Sequence, residues 1–446
     1  MEDLLREAGE RALKAAHKKG MQAEVFLSQQ HSMNLELRDG QVETLKQAEE
    51  MGLGLRLLNA GRRAFVYTAD LSEAAIQQAV NDAVDICRYT PADEWNSFPE
   101  GPYRYSSLEL YDENIPASCL EEKIEMAQAA EEAARRSDKR VKLIEKSGYE
   151  EGEYTSLLMN SHGLYAVGKA NYALLYLSLV AREDDESQSG FSMMIKRKIR
   201  GLEPEVVGQE AALRAVRGLK SRRIDSTSLP CIIEPYIMAR FLGLIAHLLS
   251  AEAVQKGKSL LVGKLGERVA SGVLSITDDA TLAEGLGSFP FDGEGVPGRK
   301  TPAIKNGVLM TYLYDHYSAC KAGVESTGHG QRASFRHLPA VGSSNFILEA
   351  GEESPEQMIA GVDKGLYITE IMGLHTANPV SGDFSLGAAG LLIEKGCLSY
   401  PVRGITIGGN LVDFLQSIDA VGNDLRFFGA RAAPSVRLSS LSVAGK

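Results

Sequence analysis

The sequence predicts an α+β protein. Its N-terminal domain (1–226) sets helices on an antiparallel sheet, and its C-terminal domain (227–446) is mainly β. Three observations carry this expectation. Helical spacings of apolar residues recur in the first half; period-two alternation lies between them; and glycine is uneven, with 15 of the 44 in residues 1–226 and 29 beyond. That near doubling marks a change to turn-rich, strand-rich construction.

Residues 2–20 place Leu5, Ala8, Ala12 and Ala16 at helical spacing. Met33, Leu35 and Leu37 then alternate with Asn34, Glu36 and Arg38, the pattern of a half-buried strand. Asp39-Gly40 and Asn59-Ala60-Gly61 offer positive-φ positions for tight turns, so 23–68 reads as an antiparallel meander. Asp70 and Glu73 stand at capping-box spacing ahead of a helix over 74–84. A second pass opens in the same way, with Ser118 and Glu121 at capping-box spacing before an Ala- and Glu-rich helix ending near Ser137. Strand-like runs at 141–149, 154–160, 164–181 and 189–199 follow, separated by turns at Glu151-Gly152, Asn160 to Gly163 and Glu183 to Glu186. A helix over 205–219 closes the pass. Helix, meander, helix, stated twice, suggests an internal repeat (1–90 and 116–220), with the Pro-, Tyr- and acid-rich stretch 91–115 as linker. Beyond it only 235–254 reads as a long helix, with Ile237, Phe241, Leu244, Leu248 and Ala251 on one face. The remainder is strands and glycine turns, which suggests a β-sandwich or barrel-like domain.

With 44% hydrophobic and 24% charged residues in 446, the chain can bury a large core. The net charge of −11 opposes a phosphate-tracking surface, so direct nucleic-acid binding is not expected. No run approaches the ~20 apolar residues of a membrane span, and the start lacks a basic n-region with an apolar h-region. A cytoplasmic protein is expected. The 5 Cys form no C-x-x-C pair, so neither a disulfide framework nor a Cys-rich zinc site is encoded, and they read as reduced core thiols.

Most motif tests fail. Gly257-Lys258-Ser259 resembles the end of a P-loop, but Glu252 stands where the leading glycine belongs. Gly293-Glu294-Gly295-Val296-Pro297-Gly298 matches G-x-G-x-x-G, yet Pro297 and Pro302 cannot open the helix that would hold a pyrophosphate, so a strand-connecting turn is favoured. The basic run Lys196-Arg197-Lys198-Ile199-Arg200 could touch phosphate; a solvated strand end is the favoured reading. None of the eight His is followed by Glu, so a zincin motif is missing in every frame. Glu234 and His247 flank the long helix, and thirteen steps of about 100° turn them to nearly opposite faces. A looser metal site from His316, His329, His337 and His375, all in predicted loops, is the weaker alternative to surface or hydrogen-bonding histidines. The segment holding Asn378, Gly382, Asp383, Gly387 and Gly390 would let an extended peptide approach closely; as structure, its glycines are turn, bulge or packing positions.

Taken together, several stretches resemble the TldD/PmbA family, named as modulators of DNA gyrase and associated with metallopeptidase activity. They are Glu36 to Gly40, Asn160 to Gly163, Asp292 to Pro297, Asn306 to Leu309, Asn378 to Gly382 followed by Gly387, Gly390, Glu394 and Gly396, and the ending Leu441 to Gly445. In that family the TldD-type subunit holds its catalytic metal with a His-Glu-three-residues-His helix and a downstream Cys. This chain departs at each of those positions. Its matching helix, 235–250, has Ala246-His247-Leu248-Leu249 without a partner His, and no Cys follows Cys397, so the tail 429–437 lacks the third ligand. The resemblance is therefore to the PmbA (TldE) type of subunit. It implies no catalytic residue or zinc in this chain, zinc in a TldD-like partner, a heterodimer or homodimer, and unfolded or small peptides as substrates. Strand addition of the peptide to a sheet edge is the binding mode expected. Two other readings stay open: a self-sufficient metallopeptidase with a non-standard site, and a non-enzymatic modulator of gyrase or another protein.

Overall fold

A computed structural model describes residues 2–445. Helix α1 (Glu2–Lys18) buries Leu5, Ala8, Ala12 and Ala16 as its spacing requires. The meander follows as β1 (Gln22–Arg38), β2 (Gln41–Asn59) and β3 (Arg62–Thr68). Its turns place Asp39, Gly40, Ala60 and Gly61 at positive φ. Helix α2 (Glu73–Tyr89) is capped by Ser72, whose hydroxyl accepts the Ala75 N–H. This corrects the capping box expected from Asp70, which instead accepts the Ser72 amide and shapes the preceding turn.

After α3 (Asn114–Ala117), helix α4 (Leu120–Ser137) starts at Cys119 with no side-chain cap. The expected cap Ser118 is spent on α3, donating its hydroxyl to the Asn114 carbonyl. Strand β4 (Val141–Asn160) runs unbroken through Glu151-Gly152, where a turn was expected. Gly152 lies opposite Tyr172, and a Cβ there would sit 2.5 Å from that ring, so the glycine serves packing rather than reversal. β5 (Tyr165–Glu183), β6 (Glu186–Lys196) and α5 (Pro204–Arg217) complete the pass. All six strands form one antiparallel sheet in the order β3-β2-β1-β4-β5-β6, joined at its centre by β1 and β4. Each helix–meander–helix pass thus contributes three strands, and the two cores share the central pair: Met33, Leu35 and Leu37 of β1 lie in the core with α4 and α5, and Leu157 and Met159 of β4 in the core with α1 and α2.

The C-terminal half runs β7 (Thr227–Ile233), α6 (Pro235–Leu248), α7 (Ala251–Gln255), β8 (Ile276–Asp279), β9 (Lys300–Lys305), β10 (Val308–Leu309) and α8 (His316–Ala322). It continues with β11 (Gly330–Gln331), β12 (Ala340–Val341), β13 (Phe346–Leu348), α9 (Pro355–Ala360), β14 (Lys364–Met372), β15 (Asp383–Glu394) and β16 (Cys397–Asn410). Last come α10 (Leu411–Ser417), β17 (Ile418–Val421), β18 (Arg426–Phe428), β19 (Arg431–Ala433) and β20 (Val436–Ala444). The single helix expected over 235–254 is two, because the Ser250 hydroxyl accepts the Ala253 N–H and restarts the chain as α7. Strands β16-β15-β14-β7-β20 close on themselves through a β16–β20 pairing, giving a five-stranded barrel with β17 appended. α6 packs on this barrel, its Phe241 stacked on Phe414 at 4.7 Å and edge-on to Phe384 at 5.6 Å. A second sheet, β10-β9-β8-β13-β19-β18, lies beside it.

The two halves dock through aromatic rings on glycines. Phe335 lies on Gly52, and its carbonyl occupies the space a Cβ on Gly54 would need; Phe289 and Phe291 lie over Gly168. The basic run ends β6 with Lys196, Lys198 and Arg200 exposed, as a solvated strand end requires, but Arg197 departs from that reading. Arg197 is 6% exposed and donates to the carbonyls of Asn171, Gly285 and Leu286, while Lys198 pairs with Glu284. Desolvation lowers the Arg197 guanidinium to a pKa of about 10. The stretch 91–115 is ordered against both halves, with Phe98 and Leu110 buried and the Tyr105 hydroxyl donating to the Gly295 carbonyl at 2.8 Å. Of the five free cysteines, Cys87 and Cys231 are core thiols as expected, but Cys119 and Cys397 are exposed. No helix among the described residues is long and apolar enough to cross a membrane.

Candidate functional site

A buried ion cluster fastens the domains to each other. Glu24 on β1 and Arg56 on β2 meet Glu294 and Arg332 from the C-terminal half. The Arg56 guanidinium donates to both Glu24 oxygens at 3.1 and 2.7 Å and to Glu294 Oε1 at 3.0 Å. Arg332 pairs with Glu24 and donates to the Gly293 carbonyl at 2.6 Å. The second Glu294 oxygen accepts the backbone N–H of His316 at 2.7 Å. The glycine-flanked Glu294, read from sequence as part of a connecting turn, is therefore the interdomain acid.

Burial is the largest influence on Glu294 and opposes its ionisation, but Arg56, His316 and Arg332 together outweigh it and hold the carboxyl below its ordinary value. Its neighbour Asp292 goes the other way. Burial, reinforced by the Glu294 charge, raises that carboxyl to about 8 against three backbone N–H donors, from Glu294, Val296 and Gly330. The folded protein therefore holds a proton at Asp292 that the unfolded chain releases near the ordinary carboxylate range. Its stabilising contribution is complete below that range and is lost as pH rises through about 8. Glu294, depressed, loses its contribution only at lower pH, outside that window. Between pH ~5 and ~8 the urea midpoint should fall with a slope that Asp292→Asn flattens, by at most about 1.4 kcal/mol per pH unit. Equal slopes in the two proteins would refute the assignment.

On α6 the residues at 236, 240, 243 and 247 share one face, since steps of 100° bring them within about 60° of each other. Gly243 is covered by Arg431 of β19, whose guanidinium atoms lie 3.1–3.2 Å from where a Gly243 Cβ would be. Arg431 is exposed and has no carboxylate partner among the described residues. Glu234 is the N-cap residue of α6 and binds Arg217 through both oxygens, at 3.2 and 2.8 Å. His247, exposed, stands at the other end of the helix, about 20 Å away by helical rise. The structure does not bring Glu234 and His247 together.

The four loop histidines are dispersed. His316 opens α8, its Nε2 2.8 Å from Ser97 Oγ and 3.7 Å from Cys320 Sγ. Burial lowers the His316 pKa. His329 is buried between Thr327 Oγ1 (2.8 Å) and Asp278 Oδ1 (3.1 Å). His337 bonds Ser334, and His375 is exposed in a short turn after β14. Among the described residues no group of three His, Cys, Asp or Glu is placed to hold a metal ion.

The glycine-rich segment is built into the barrel. Asn378 Oδ1 accepts the amides of Val380 and Ser381, and Asp383 accepts from Asn410 and Ser381, which lowers its pKa. Gly382 has φ +76° and abuts Leu260; Gly387 faces Met372; Gly390 leaves room for the Tyr367 carbonyl at a bulge in β14. From Gly387 to Glu394, β15 is paired with β14 on one side and β16 on the other. Strand addition, expected for this segment, finds no free edge from Gly387 onward, and only Asp383 to Leu386 is paired on one side alone. Gly390 does reach a cleft of about 290 Å³ between the halves. Its walls are the β6 edge at Gln188 to Phe191, Arg214 and Arg217 of α5, Tyr236 and Arg240 of α6, and Glu370, Gly390 and Arg403 of the barrel. Sequence reasoning missed this cleft and Arg431. The residues involved are up to some two hundred positions apart, with no local pattern linking them.

Comparison with known proteins agrees with this architecture. Family models described as PmbA/TldA metallopeptidase domain 1, central domain and C-terminal domain match residues 23–87, 115–219 and 226–445. The chain is 31% identical to Metalloprotease PmbA of Escherichia coli O157:H7 over 445 residues, covering 99% of this chain and 96% of that one. A crystal structure from Thermotoga maritima, named for a proposed role as modulator of a DNA gyrase, superposes with a TM-score of 0.90 at 32% identity, covering 98% of this chain and 100% of that one. TldE from Thermococcus kodakarensis shares the fold, with a TM-score of 0.88 at 24% identity over the full length of both chains. The chain belongs to the PmbA/TldD metallopeptidase family.

Proposed function

We propose that this chain is a PmbA/TldE-type subunit that binds unfolded or small peptides for a metallopeptidase assembly whose zinc is held by a TldD-like partner. The observation that carries the reading is Arg431 lying across Gly243. The family pattern draws its metal ligands from this helix and from this tail. Here a guanidinium, permanently charged, stands against the helix, and a second cation would be repelled at that place. With no ligand set of its own, the chain contributes binding surface, and the partner contributes the metal.

The test is metal analysis together with peptide hydrolysis, on the purified chain and on the chain co-expressed with a TldD-like partner, with native mass spectrometry to read the stoichiometry. Zinc and turnover are expected only in the mixture, in a mixed dimer. One tightly held transition metal per isolated chain, with hydrolysis, would establish the self-sufficient enzyme instead. A mixed complex that cleaves no peptide would favour a non-enzymatic modulator.

A further inference from the structure

We infer that the cleft beside β6 receives an extended peptide as a seventh strand of the N-terminal sheet, and that it favours a peptide bearing carboxylates. This rests on the peptide-binding reading above and supplies its site and substrate class. β6 is the last strand of its sheet and among the described residues is paired only with β5. An edge strand presents unpaired N–H and C=O groups at alternate residues, a template for another chain. Here the edge from Gln188 to Phe191 is recessed between the halves and faces the barrel. A single extended chain can enter such a slot; the body of a folded protein cannot. One face of β6 is closed as well, since Gly190 packs against the Ala211 carbonyl of α5. Arg214 donates to the Phe191 carbonyl at 2.9 Å, which ends the free run of edge and sets where an added strand must stop.

Four arginines against two carboxylates, Glu145 and Glu370, line the cleft, and this positive balance selects the peptide. Arg214 and Arg217 are neutralised by Glu210 and Glu234. Among the described residues Arg240 has no carboxylate partner, and Arg403 has only a long pairing with Glu370. Arg240 donates to the Ile371 carbonyl at 3.0 Å, and Arg403 touches the Gln188 side-chain oxygen while its closest carboxylate, on Glu370, is 3.9 Å away. Two guanidiniums thus enter the cleft with neutral acceptors in first place. A carboxylate would replace them with charge-assisted, forked hydrogen bonds, which are roughly twice as strong. Because the Arg403–Gln188 contact spans the cleft, an entering strand would break it and release Arg403 toward the peptide.

The test is fluorescence anisotropy on the full chain without partner, using labelled peptides of one Val/Thr frame. The frame carries Glu side chains with an amidated end, Gln side chains with a free C-terminal carboxylate, Gln side chains with an amidated end, or Glu side chains with alternate backbone N-methylation. At least one carboxylate-bearing peptide should bind about ten-fold or more tightly than the neutral one, and the two carboxylate arms tell side chain from chain end. N-methylation should abolish binding. In Arg240→Ala/Arg403→Ala the acidic preference should fall toward one, whereas Arg135→Ala, remote at the Asp39 turn, should retain it. Undiminished binding of the N-methylated peptide, or an acidic preference that survives the double substitution in a folded variant, overturns the inference. If the chain binds none of these peptides while its complex with a TldD-like partner hydrolyses them, this inference fails and the assembly reading stands. Tight acidic binding with no turnover by the complex would uphold the cleft and count against the assembly.

Discussion

Replacing Arg56 by methionine should lower unfolding stability by about 3–5 kcal/mol, the range for removing one partner of a buried ion pair. Arg56 is 4% exposed and serves two carboxylates at once, Glu24 and Glu294, whose side chains are 0% and 1% exposed. Without the guanidinium, Glu294 keeps only the His316 amide as a hydrogen-bond donor, while Glu24 beside it is still held by Arg332. Desolvation of an unpaired carboxylate then dominates. Adding Glu294→Gln should return part of the loss, since a neutral amide carries no such penalty. Urea unfolding of the single and double variants checks this. A change below about 1 kcal/mol in Arg56→Met would mean that the cluster is solvated and does not hold the domains together.

Phe335→Ala is expected to cost a similar amount, about 3–5 kcal/mol, through lost burial and the cavity left behind. The ring is 1% exposed, lies on Gly52, and meets Tyr67 edge-on at 6.3 Å. The converse substitution is as informative. Gly54→Ala would drive a Cβ into the Phe335 carbonyl, a backbone atom that cannot rotate away. Both variants should expose β2 amides to hydrogen exchange while the core under α4 and α5 stays protected. Exchange rising equally in both halves would show general unfolding rather than undocking.

Local patterns were sufficient for much of the fold. Alternation at Met33, Leu35 and Leu37, helical spacing at Leu5 to Ala16, and the turns at Asp39-Gly40 and Asn59 to Gly61 each depend on neighbours within one turn or one strand. The errors lie where a residue has more than one physical use. Gly152 is permissive enough for a turn, but a tyrosine from the next strand needs its space. Arg197 reads as a surface charge until the carbonyls of Asn171, Gly285 and Leu286 surround it. Ser118 has the spacing of a cap and is used one turn earlier. For Gly152 and Arg197 a contact from outside the local window outweighs a local preference of about 1 kcal/mol or less, and for Ser118 one local use displaces another.

Local sequence carries the α+β class, the placement of most elements, the missing metal-ligand pattern and, through the assembled motifs, the family resemblance. All of these are properties of spacing and residue type, which short-range sterics and side-chain chemistry translate directly. Long-range packing alone reveals that β15 has no free edge at Gly387 and Gly390, that Glu294 closes an ion cluster with β1 and β2, that Arg431 covers Gly243, and that the β6 edge opens on an arginine-walled cleft. These depend on which distant segments meet. Burial and charge compensation fix those meetings across the whole chain, and no local window of residues contains that information.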